Sequence, residues 1–90
     1  TTLSEGLPAE RLSSLKQGEK AWVAGISPTC RGTERRRFLD LGILPGTAVE
    51  AELVSPGGDP TAYRVRGTLL ALRAEQAQNI HISREKEAVS

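Results

Sequence analysis

From Thr47 to Arg73 the hydrophobic period becomes two, and turn chemistry cuts the chain into strand-length pieces. Val49, Ala51 and Leu53 point one way while Glu50 and Glu52 point the other, the alternation of a half-buried strand. Ser55 to Pro60, "SPGGDP", is composed of turn formers. "TAYRVRG" then alternates Tyr63 and Val65 with Ala62, Arg64 and Arg66, and Gly67 permits a tight turn into "TLLALR". That pattern predicts a hairpin.

Upstream, Lys20 to Ile26, "KAWVAGI", is apolar on both alternating faces and stops at Ser27-Pro28, which predicts a first strand covered on both sides. Ala9 to Leu15 reads as a short helical lead-in, with Leu7, Leu12 and Leu15 on one side and a turn at Lys16-Gln17-Gly18. Thr33 offers an N-cap oxygen and Glu34 an acid in the first turn of a helix running to Leu41, with Phe38 and Leu41 on its core face. Gly42 can adopt the left-handed conformation that stops a helix, Ile43 can pack back on the last turn, and Pro45 prevents resumption. Ala74 to Gln78 can form one helical turn ended by Asn79. In "NIHIS", Ile80 and Ile82 face inward and His81 outward.

Ninety residues accommodate one domain, which hides only roughly 60–65% of the extended chain's surface, so the core is thin. About five short antiparallel strands, a short helix after the first and a helical turn before the last predict a mainly β fold closed as a small SH3-like barrel. The domain is placed at residues 12–84, after a lead-in at 1–11 and before a flexible, charged tail at 85–90.

The chain carries 12 basic and 11 acidic residues, so overall charge gives no argument for nucleic acid or an anionic membrane surface. No apolar run approaches the ~20 residues of a membrane span, and the opening "TTLSEGLPAE" is not a signal peptide. Residue 1 is not Met, which reads as a processed or trimmed end. The single cysteine cannot make an intramolecular disulfide, so a reducing cytoplasm is the default location.

Leu39 to Ile82 resembles the FeoA family, small cytoplasmic proteins of bacterial ferrous-iron transport. The likeness lies in the leucine-rich helix running into Leu41-Gly42 and Pro45-Gly46-Thr47, and in the turn at Gly58-Asp59-Pro60. It continues through Arg66-Gly67, Leu70-Ala71-Leu72-Arg73, Glu75, Ala77 and Ile80, with Gln76 separating Glu75 from Ala77 where the family often has the two adjacent. With "LSSLKQGEKAWVAGI" it extends over about Leu12 to Ser83. The same module is similar to the C-terminal domain of DtxR-type metal-dependent repressors. The resemblance implies a non-enzymatic SH3-like accessory working beside FeoB, a GTP-binding membrane transporter, with the oligomeric state left open.

The residues themselves favour no catalytic reading. One His and one Cys are available, and Cys30, in "SPTCRG" beside Arg31, carries no signature of a catalytic thiol, although Arg31 could lower its pKa. His81, Cys30, Asp59 and Glu75 are ligand types for a divalent transition metal, but no two stand at the short spacing of structural metal sites. No cofactor is therefore expected, and a weak metal-sensing site is the alternative reading. "SPGGDP" lacks the Lys and Ser/Thr of a phosphate loop.

Arg31, Arg35, Arg36 and Arg37, with Arg64 and Arg66 on a strand face, form the basic concentration. Single-strand binders also need aromatic stacking surfaces, and the chain has one Trp, one Tyr and one Phe, so an oligonucleotide-binding barrel ranks below a protein contact. Arg36 could instead simply pair with Asp40 one turn on. Arg35, Arg36, Arg37 and Leu44, with Arg31 at the edge, are the expected partner-binding residues.

Overall fold

A computed structural model describes residues 8–57 and 59–85. Five strands appear, β1 (Lys20–Ile26), β2 (Ala48–Val54), β3 (Thr61–Val65), β4 (Thr68–Leu72) and β5 (Ile80–Ser83). Helix α1 (Gly32–Asp40) follows β1, and the four-residue α2 (Ala74–Ala77) joins β4 to β5. All neighbouring strands pair antiparallel in one sheet of order β4-β3-β2-β1-β5. This is the five-stranded, mainly β architecture that the alternation predicted.

The strands share one core, in which Ala21, Val23, Val49, Ala51, Tyr63, Val65, Ile80 and Ile82 meet Phe38 and Ile43 from the α1 region. The Tyr63 hydroxyl donates to the Leu12 carbonyl at 3.4 Å, which gives its buried polar end a partner, and burial pushes its pKa up.

The helix stop follows the sequence closely. Gly42 lies at φ +90°, its N–H bonds the Leu39 carbonyl, and the Ile43 N–H bonds the Phe38 carbonyl, both at 3.0 Å. These bonds form the Schellman arrangement, and Ile43 is driven into the core beside Phe38. Leu41 is only half-buried.

Four local expectations change. The Ala9–Leu15 helix is a 3-10 turn at Leu12–Ser14, because Glu10 and Arg11 are extended alongside β5 instead. Leu7 falls outside the described residues. The α1 N-cap is Arg31, with no side-chain cap bond, and Thr33 lies inside the first turn. Leu53 does not follow Val49 and Ala51 inward: the β2–β3 register shifts between Ala51 and Leu53, leaving Leu53 58% exposed. No Arg36–Asp40 ion pair forms among the described residues.

The β3–β4 hairpin turns on Arg66 and Gly67, at φ +53° and +79°, the mirror-image turn that suits strand twist. Gly67 was legible as the turn residue; the positive φ of Arg66 was not.

Candidate docking surface and metal-ligand positions

The helix that carries the arginines is short, and its geometry separates them. At about 100° per residue, Arg35, Arg36 and Arg37 fan over about 200° of α1, with Phe38 directed into the core. Arg35 turns back on its own chain, where its Nη1 donates to the Ser27 and Cys30 carbonyls, each at 3.4 Å. Arg36 lines a shallow depression with Gly32 and Thr33. Arg31 and Arg37 are exposed, and Leu44, in the turn after the helix, is 39% exposed.

A further cation stands at the helix's far end. The Arg66 side chain crosses Gly42 so closely that a Cβ on that glycine would lie 2.9 Å from Arg66 Cδ. The positive φ requires glycine at 42, the missing side chain lets Arg66 lie close over it, and the arginine head lies near the negative end of the α1 dipole. The signal for this contact was present only as two unconnected glycine turns. Arg64, exposed as expected, pairs with Glu52.

The metal-ligand candidates are dispersed into separate structural roles. Cys30 is buried, with Sγ 3.8 Å from Glu34 Oε1. Burial, and then the Glu34 carboxylate, push its thiol above the ordinary range against a smaller opposing influence of Arg35. The lowering expected from Arg31 is therefore reversed, because the thiol faces the core rather than the loop surface. Asp59 Oδ1 accepts the Ala74 N–H at 2.9 Å and caps α2 from a distant turn. Glu75 is exposed on α2.

His81 corrects the alternation argument. It is buried at 7% exposure, and its Nδ1 lies 2.6 Å from the Pro8 carbonyl, which can only accept, so Nδ1 donates. The face that alternation assigned to water is covered by the lead-in. No group of three His, Cys, Asp or Glu side chains suited to a metal ion occurs among the described residues.

Two half-buried acids hold the same region. Arg84 pairs with Glu10 at 2.7 Å and with Glu19 at 3.2 Å. The Arg84 hydrogen bond holds the Glu10 carboxyl below its usual value, and the Lys16 backbone N–H does the same for Glu19, with Arg84 assisting. No described helix is long and apolar enough to cross a membrane.

A helix between the first two strands, a capped helical turn before the last and an antiparallel sheet together define a small SH3-like barrel domain. The model of the FeoA domain matches residues 10–84, and the chain belongs to the FeoA family. Over 72 residues it is 32% identical to the Fe(2+) transport protein A/Fe(2+) transporter FeoB fusion protein of Porphyromonas gingivalis, a match covering 80% of this chain but 8% of that fusion's length. The solution structure of FeoA from Chlorobium tepidum is 32% identical with a TM-score of 0.75, covering 82% of this chain and 69% of that one. A Stenotrophomonas maltophilia FeoA, solved in complex with zinc and described as a prokaryotic SH3 domain protein, is 28% identical with a TM-score of 0.76, covering 90% and 94%. A manganese-dependent transcriptional repressor shares the fold at 20% identity and a TM-score of 0.75, over 89% of this chain and 44% of that one.

Proposed function

We propose that this chain is a non-enzymatic accessory of bacterial ferrous-iron transport that docks on the cytoplasmic part of a FeoB-type transporter. The observation that carries this reading is the Porphyromonas gingivalis relative, in which a domain like this one is joined to FeoB in a single polypeptide. A domain tethered to a partner acts at high effective concentration, so a separate chain doing the same work needs a contact surface of its own. Such a protein works in the cytoplasm, at the inner membrane through its partner.

The contact residues are Arg35, Arg36, Arg37 and Leu44, with Arg31 at the edge. Exposed guanidinium groups steer approach and Leu44 anchors it. Docking that favours one state of the transporter over another biases its cycle by that difference in affinity and by nothing more. The test is capture of the purified cytoplasmic part of FeoB from the same organism. Arg36→Glu combined with Leu44→Ser abolishes capture without moving the melting temperature, and undiminished capture overturns the contact surface.

The zinc complex of the Stenotrophomonas FeoA favours a second reading, a weak transition-metal site. Calorimetric titration with zinc and ferrous ions decides it: heat accompanied by a raised melting temperature supports the site, and neither signal removes it.

A further inference from the structure

The two edges of the sheet differ. Beyond β5, the segment Pro8–Arg11 supplies a bridge from Arg11 to His81, and the Glu10 carbonyl takes the Ile82 N–H at 3.0 Å. Beyond β4, no described segment pairs with the strand.

The hairpin geometry fixes which β4 groups face the open side. In a two-residue hairpin the closing pair Val65↔Thr68 exchanges both backbone bonds, and such pairs recur at every second residue, at Tyr63↔Leu70 and Thr61↔Leu72. Thr68, Leu70 and Leu72 therefore bond β3, while Leu69 and Ala71 direct N–H and C=O outward. Among the described residues no hydrogen bond beyond the sheet's own ladders reaches those four groups.

The strand also lacks the charge and proline that commonly protect an edge. "TLLAL" contains no charge and no proline, Leu69 is 50% exposed and Ala71 is exposed.

We propose that β4 is a homodimerisation edge, pairing antiparallel with β4 of a second copy about a two-fold axis through Leu70. In that register Leu69 lies opposite Ala71 of the second copy, and the same pair recurs across the axis. The four outward groups of each copy then form four hydrogen bonds, with Leu70 facing Leu70 as the intervening non-bonded pair. Arg73 falls opposite Gly67 of the second copy and Arg66 opposite Ala74, next to Glu75, so no like charges are juxtaposed. An uncharged, self-complementary strand suits a second copy better than an acidic or basic partner. With the β5 edge covered, pairing closes at two copies instead of growing into a fibre.

One short strand buries little surface, so association lies at the weak end of specific interfaces. Sedimentation equilibrium from about 10 μM to about 1 mM shows a concentration-dependent dimer. Amide exchange at Leu69 and Ala71 slows as that dimer forms. Leu69→Lys weakens it at least about tenfold by placing a hydrated charge on the edge, and Ala71→Pro, which removes an outward N–H, does likewise. Leu53→Lys, at an equally exposed leucine away from the edge, leaves it intact.

Four outcomes overturn the proposal: a monomer throughout, a dimer indifferent to both edge variants, equal loss with Leu53→Lys, which indicates face packing, or protection of Leu69 and Ala71 that does not vary with concentration. The last would mean that the chain's own terminal segments cover the edge. Should Ala71→Pro fail to fold, Leu69→Lys, on the solvent face, still decides.

Discussion

The β5 side and the β4 side of this sheet are built from similar short apolar strands, yet among the described residues one edge is fastened and the other bare. At β5 the lead-in contributes two carbonyls, from Pro8 and Glu10, and Arg84 clasps Glu10 and Glu19 across the strand's end. At β4, Leu72 joins the core and Leu70 packs against it, while Leu69 and Ala71 face outward with nothing described across them. The difference shows that strand composition does not decide how an edge is treated. The available chain does: the segment before β1 reaches β5, because β1 and β5 are neighbours, and β4 lies at the other end of the pairing order.

Removing the guard should have the largest effect. A chain beginning at Leu12 loses the bond to the Ile82 N–H, the His81 ring's bond to Pro8 and the Glu10 ion pair, and urea unfolding should report a loss of about 2–4 kcal/mol. It also gains a second open edge, so light scattering should show assemblies larger than a dimer. A truncated chain of unchanged stability would mean that Pro8–Arg11 lies on β5 without holding it.

A smaller effect distinguishes charge from backbone pairing at the same edge. The folded-state pKa of Glu10 lies below its ordinary 4.5, so its carboxylate stabilises the fold above about that pH and ceases to as the pH falls through the folded value. Glu10→Gln should therefore lower the melting temperature at neutral pH. The gap from the unsubstituted protein should close on acidification and narrow in high salt, since the pair is partly exposed. A gap that persists at acid pH would assign the effect to packing.

The smallest effect is expected on the bare side, where Leu69→Lys should change monomer stability by no more than about 0.5 kcal/mol, read from unfolding in dilute solution. A substantial loss would show that Leu69 supports the fold and that the edge is not free.

The fold was legible where local chemistry and tertiary structure demand the same thing. Gly42, Ile43 and Pro45 read as a helix stop because the left-handed glycine and the returning hydrophobe act within one turn. The hairpin was readable from Gly67 for the same reason, although Arg66 read as the end of the strand. His81 and Leu53 were misassigned by the same periodic argument, for opposite reasons: distant chain covers the first, and a register shift turns out the second. The burial of Cys30 was not legible either, because sequence neighbours say nothing of core depth.

The candidate surface was legible as composition rather than as geometry. Three adjacent arginines are visible in any reading of the chain. Their divergence follows from the helical period, but Arg35 turning back to Ser27 and Cys30 does not. Arg66 over Gly42 joins two turns far apart in the chain, and neither turn alone implies the other.

By itself, the sequence determined the number and order of the elements, the turns between them and membership of the FeoA-like pattern, since these depend on residues within a turn or two of one another. Only the tertiary structure decided which faces and edges meet water. That outcome depends on which remote segment lies across each strand, and local periodicity carries no information about it.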